Sequence, residues 1–231
     1  MTRITLQKKS KAGDGLYLLR FSAPESLQGQ YKIPGQYAIV RTDANQEKPA
    51  FFAVASAPTE DYLEFLIKEA PGSAAEMVAL DEGQEAECES VQGPGFSVSF
   101  RKGQPDIHMF SMGSGFAPFR ALIKFIEGAD SEHCNLHLWQ AAFRLSAVPL
   151  LDEILEWEKK GAITLHLCLD EQQSGGEIPF FTGQVPDALE QYEDNLKESR
   201  LLWIGSHEFS ESLKATVAKL GIDPDLLMTN Y

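Results

Sequence analysis

Short apolar runs separated by turn residues fill the first hundred positions of the chain: Ile4–Leu6, Leu16–Phe21, Tyr37–Val40, Phe51–Ala55, Leu63–Ile67 and Glu85–Cys88. Between them stand Gly13, Gly15, Pro34-Gly35, Pro58 and Gly83, residues that let the chain turn. Strands this short at such regular spacing predict a small antiparallel β-barrel or sandwich. One stretch breaks the rhythm: Gly72–Leu80 carries helix formers and apolar residues at helical spacing, with Ser73 as a cap.

After Arg101-Lys102-Gly103-Gln104-Pro105 the pattern changes to alternating strands and helices. Strands are expected at Ile107–Met112, Leu136–Ala142, Ile163–Leu169 and Leu201–Ile204. Helices are expected at Pro118–Glu127, Val148–Lys160, Val185–Gln191 and Ser210–Leu220. Such alternation implies crossover connections and a parallel sheet covered on both faces. A boundary near residue 104 divides the chain into residues 1–104, an antiparallel barrel, and residues 105–231, an α/β domain. Two domains also suit a length of 231 residues.

Charge narrows the function. A formal net charge of −14, with no basic stripe, argues against a nucleic-acid partner. Asp152, Glu153, Glu156 and Glu158, followed by Lys159 and Lys160, form a solvated helix face. No apolar run is long enough for a membrane span, and Met1–Thr5 does not open a signal peptide. Cys88, Cys134 and Cys168 are too widely separated to hold zinc or an iron–sulfur cluster, and their odd number suits a reducing compartment. These features together predict a cytoplasmic protein without membrane insertion. The histidines His108, His133, His137, His166 and His207 have no metal-site spacing, so no metal is expected.

The sharpest local signal is the run from Ile107 to Arg120, a strand leading into Gly113-Ser114-Gly115 and then a helix opened by Pro118. Glycines there let a phosphate approach the backbone, and the helix start offers free N–H groups. A plain packing requirement for glycine is the alternative. Its place as the first βα turn of a parallel domain favours a pyrophosphate site.

With that turn in view the chain resembles the ferredoxin–NADP reductase superfamily. The correspondence runs in order through Pro34-Gly35-Gln36-Tyr37, Phe52-Ala53-Val54-Ala55-Ser56-Ala57-Pro58, Pro71-Gly72-Ser73, Gly93-Pro94-Gly95-Phe96 and Gly113–Pro118. Gly183-Gln184-Val185 and Leu201–Ser206 complete it late in the chain. The resemblance implies FAD and NAD(P)H as cofactors. Gln36, Tyr37, Phe52, Ala53, Val54, Gly72, Ser73 and Ala74 would frame the flavin. Gly113, Ser114, Gly115 and Pro118 would hold the nucleotide diphosphate, and Gly205, Ser206 and His207 the nicotinamide. Ala53, Ile204 and Tyr231 would lie near the reacting rings, Tyr231 as an aromatic lid or else a frayed terminus. Arg144 would meet a ribose or 2′-phosphate, leaving NADH and NADPH open, while Arg120 reads as a surface charge. The implied activity passes electrons between NAD(P)H and a redox partner, an iron–sulfur protein or oxygenase component, or a small molecule.

Several positions depart from that pattern. Ala50 replaces an arginine expected at the FAD pyrophosphate, Ala53 a serine expected near flavin N5, and Ala75 a hydroxyl residue in the barrel helix. Ile204 and Ser206 replace the cysteine and proline expected beside the nicotinamide. A charge-assisted hydrogen bond is worth about 1.5–3 kcal/mol, so each loss weakens cofactor binding. These replacements also suit a non-catalytic, regulatory or electron-transfer subunit of the same fold.

Overall fold

A computed structural model describes residues 1–42, 48–129, 132–171, 178–192 and 196–230, arranged in two compact units. The first comprises Met1–Val98, Phe116–Ala129 and Asn230; the second comprises Ser99–Gly115 and the stretch up to Thr229.

In the first unit six strands, β1 (Thr2–Gly13), β2 (Leu16–Ser22), β3 (Tyr37–Arg41), β4 (Ala50–Ala53), β5 (Tyr62–Lys68) and β6 (Glu85–Gln92), form an antiparallel sheet. Their order is β4-β3-β6-β1-β2-β5. The sheet curls like a barrel, but among the described residues its ends meet through a bridge between Val54 and Phe65 rather than a full ladder. Its core gathers Leu19, Phe21, Phe65, Val40 and Met77. Two short helices, α1 (Glu25–Gln28) and α2 (Ser73–Ala79), flank it. β1 runs well past the apolar triplet that announced it. It continues through polar Lys8–Lys11 by pairing with β2 around two register shifts, so ladder hydrogen bonds outweigh side-chain polarity there.

The second unit is built on a parallel sheet in the order β10-β9-β8-β7-β11-β12. Its strands are β7 (Ile107–Met112), β8 (Leu136–Ala142), β9 (Thr164–Leu169), β10 (Phe181–Thr182), β11 (Arg200–Ile204) and β12 (Leu227–Met228). The helices of this half of the chain are α3 (Ala117–Glu127), α4 (Leu151–Lys160), α5 (Val185–Leu189) and α6 (His207–Lys219). Trp139, Trp203, Leu213 and Val217 form a core against α5 and α6.

Helix starts moved for identifiable reasons. Pro149 keeps Val148 extended, and Leu150 takes a left-handed φ of 49°, so α4 opens at Leu151 rather than Val148. α6 opens three residues before the expected Ser210, because the Ser206 hydroxyl accepts from Phe209 N at 3.2 Å. The short strands β10 and β12 had no two-residue periodicity to betray them. Among the described residues no helix is long and apolar enough to cross a membrane.

Candidate functional site

The turn after β7 begins in the left-handed region that favours glycine. Gly113 has φ 52°, and nothing lies within 4 Å of where a Cβ would stand. The chain then makes a single 3-10 turn, Gly113–Phe116, with Pro118 in the first turn of α3 and no side chain capping that helix. Gly115 has a different cause. A Cβ there would meet the Ile204 carbonyl oxygen at 2.8 Å, so the turn packs hard against the end of β11. The two glycines thus have different causes, Gly113 backbone shape with open space at its Cβ position and Gly115 close approach. Ser114 is half-buried beside them.

Around this turn, within the second unit, stand the ends of β7 and β8. Met112 and Phe143 are exposed there, Phe143 by 57%. Arg144, next in line, is exposed with an extended backbone. Ile204 is half-buried at the end of β11. Gly205 lies so close to the Phe209 ring that a Cβ would come within 2.4 Å of it. Ser206 is occupied as the cap of α6, and His207 is exposed on its first turn. Ser206→Ala is expected to cost about 1 kcal/mol and fray the first turn of α6, visible as faster amide exchange at Phe209.

In the first unit the expected flavin residues are distributed over both faces of β4. Phe52 turns inward, half-buried with its ring 6.0 Å from Phe65, while Phe51 is 62% exposed and meets Tyr37 edge-on at 5.8 Å. Strand alternation explains the split, since Phe52 faces Ala38 across the ladder and shares its core side. Ala53 pairs with Tyr37 on the outward face, and Val54 is fully buried. Gln36 is committed internally: its Oε1 accepts from Lys32 N and Ile33 N, and its Nε2 donates to Gly93 O. Gly72 has φ 88° with open space at its Cβ position and precedes Ser73 and Ala74, at a helix start that no side chain caps. Glu76 lies in that first turn and accepts from the Thr42 hydroxyl. Tyr231 lies outside the described residues.

Arg120 is no surface charge. It is 4% exposed and donates through Nη1 to Glu64 Oε2 at 2.7 Å and to Ala55 O at 2.8 Å. Glu64, 1% exposed, also receives Arg20 from the neighbouring strand at 2.9 Å. Nearby Lys124 reaches Glu60 at 2.6 Å. Burial alone would raise the Glu60 carboxyl, but Lys124, the Tyr62 hydroxyl and Ala57 N–H outweigh it and hold it below the usual range. The sequence signal for this network was a carboxylate inside the apolar run Leu63–Ile67.

A further cluster lies on one face of the second unit's sheet. The imidazoles of His108 and His137 stack at 4.2 Å, and Trp139 and His166 stack at 3.9 Å. Trp139 Nε1 donates to His108 Nδ1 at 3.1 Å, while His137 Nδ1 and His166 Nε2 lie 3.2 Å apart. Among the described residues no group of His, Cys, Asp and Glu is placed to hold a metal ion.

A curled antiparallel sheet followed by a parallel sheet with helices is the fold of the ferredoxin–NADP reductase-like FAD- and NAD-binding proteins, here in a divergent sequence. A ferredoxin NADP+ reductase from Neisseria gonorrhoeae, solved with bound FAD and NADP, matches with a TM-score of 0.78 and 16% identity over 99% of this chain and 97% of that one. A flavohemoglobin from Malassezia yamatoensis with bound FAD and heme matches with a TM-score of 0.80 and 16% identity over 99% of this chain and 59% of that one. In sequence, the reductase component of propane 2-monooxygenase from Rhodococcus jostii (strain RHA1) is 24% identical over 196 residues, 81% of this chain and 51% of that protein. The chain therefore spans about half the length of the curated relatives it matches. No protein-family model matches it.

Proposed function

We propose that the chain is an FAD-dependent oxidoreductase that passes electrons from NAD(P)H to a partner protein, an oxygenase component or an iron–sulfur protein. The observation that carries this reading is the open, left-handed Gly113 at the carboxyl end of central strand β7, in a fold shared with reductases solved with FAD and NADP. In this assignment residues 1–104 carry the flavin and residues 105–231 the nucleotide. Phe51 adds to the predicted flavin set, because with Tyr37 it offers an exposed aromatic surface, and the glycine-led start of α2 suits the diphosphate. Ser114, Gly115 and Pro118 shape the nucleotide turn, Arg144 meets the ribose end, and Gly205–His207 border the nicotinamide. FAD, when bound, supplies the hydride acceptor; the protein's part is to bind and orient both cofactors. The three buried, unpaired cysteines support a reducing, cytoplasmic setting.

The absorbance spectrum of the purified protein tests the proposal. Flavin bands that bleach on anaerobic addition of NADH or NADPH are expected, and a protein that stays colourless with added FAD would sink it. Gly113→Val forces a branched side chain into a left-handed φ, at a cost of about 1–3 kcal/mol. It is expected to weaken NAD(P)H binding by about tenfold or more while leaving flavin absorbance intact.

A second reading, a regulatory or electron-transfer subunit with weakened FAD binding, is favoured by Glu76. Its carboxylate sits in the first turn of α2, where a diphosphate would want a cation, and Ala50 and Ala75 bring no compensating group.

A further inference from the structure

β9 is a half-covered edge strand. Among the described residues β10 pairs with it only at Cys168 and Leu169. The Leu169 carbonyl accepts from Gly183 N at 2.8 Å, so the peptide groups of Leu169 point toward the β10 side. In a parallel ladder alternate residues turn both N–H and C=O to the same side. Leu165 and Leu167 therefore face that same edge; the pairing of Phe181 with Cys168 engages the Leu167 carbonyl, and among the described residues the Leu165 carbonyl and the Leu167 N–H lie beyond β10's pairing. Beside this edge lies a cavity of about 350 Å³, lined by Leu165 and Leu167 as well as Trp139, His166, Phe181 and Tyr192.

The lining has a directional chemistry. His166 and Trp139 stack face to face at 3.9 Å, and Tyr192 stands edge-on to both, 5.3 Å and 5.1 Å away. Such walls favour a flat ring. The Leu165 carbonyl and Leu167 N–H form an acceptor–donor pair two residues apart on one edge. Covering them with purely apolar matter would leave peptide groups unsatisfied, at about 1–3 kcal/mol each. Burial pushes the Cys168 thiol up to about 12, so that wall stays uncharged. The volume falls within the range of small-molecule sites.

We propose that this cavity binds an uncharged, planar nitrogen heterocycle whose adjacent donor and acceptor pair with Leu167 N–H and Leu165 C=O. The site is on the sheet edge beneath α5, apart from the Gly113 turn, and does not depend on the oxidoreductase assignment.

The test titrates the full chain, followed by amide NMR, with an azaindole that carries adjacent ring N–H and pyridine nitrogen, and with N-methylindole, equally flat but lacking both the donor and the acceptor. The azaindole is expected to bind saturably about tenfold tighter, the worth of two net hydrogen bonds, and to shift the Leu165 and Leu167 amide signals. Ala188→Phe, which fills the cavity, and Gln191→Phe, on an exposed position at its mouth, should each abolish those shifts, the second standing alone if the first fails to fold. Saturating NADH should leave them unchanged. Equal affinity for both probes, competition by NADH, binding indifferent to Gln191→Phe, or an edge closed by self-association at the working concentration would overturn the proposal.

Discussion

Glu64→Leu is expected to lower stability by about 3–5 kcal/mol, read as a fall in the urea midpoint. The variant removes the carboxylate that meets Arg120, a guanidinium 4% exposed that also donates to the Ala55 carbonyl. Removing the other partner does less damage. In Arg120→Met the Glu64 carboxylate keeps Arg20, whose guanidinium also lies 3.9 Å over the Tyr62 ring, so a loss of about 2 kcal/mol is expected. Combining the two leaves no unpaired buried charge and should recover most of the Glu64→Leu loss. A double variant as unstable as the sum of the singles would show that the pair is not coupled as its geometry implies. The same comparison bears on function, because Arg120 anchors the Ala55 carbonyl next to the proposed flavin residues Ala53 and Val54.

Acidification is expected to destabilise the protein by up to ~1.4 kcal/mol per pH unit between about pH 6.5 and 3. His108 is 2% exposed, and burial first, then the proximity of His137 and His166, pushes its pKa down to about 3. The unfolded chain takes up that proton near ~6.5, so across this window the unfolded state binds more protons than the native one. Stability from this group is thus complete above the window and is lost as pH falls through it. His108→Gln keeps an acceptor for the Trp139 indole N–H while removing the titration. Its stability curve should match the parent near neutral pH and lie flatter below. Parallel acid limbs for parent and variant would rule out His108 as the cause. Tyr192 and Asp106, which sit beside the same stack, offer no competing cation.

Much of the architecture was legible because periodicity encodes burial. Leu136–Ala142 and Ile107–Met112 are strands with the expected bounds, since a parallel strand covered on both faces is apolar at most positions. Gly113 stood out in the sequence as part of a strand-to-helix Gly-x-Gly turn, and its left-handed φ came only with the structure. Arg120 was not legible. Its sequence neighbours place it on a helix, but whether that position meets water or Glu64 depends on an element 56 residues away. Phe51 and Phe52 show the same limit at finer scale. Each is an aromatic residue on one strand, and only the pairing of Ala38 with Phe52 decides which of them is displayed.

The histidines make the division clear. Taken along the chain, His108, His137 and His166 share no spacing and carry no signal. In the parallel sheet, register sets His108 opposite His137 and Trp139 opposite His166, and four separate rings become one stack. By itself the sequence determined the two-part architecture, the barrel-like sheet, the α/β order and the glycine turn after β7, because these rest on local pattern, turn chemistry and helix starts. Only the tertiary structure decided the buried Arg120–Glu64 pair, the outward Phe51 and the aromatic cavity at β9, because strand register and long-range packing choose which side chains meet.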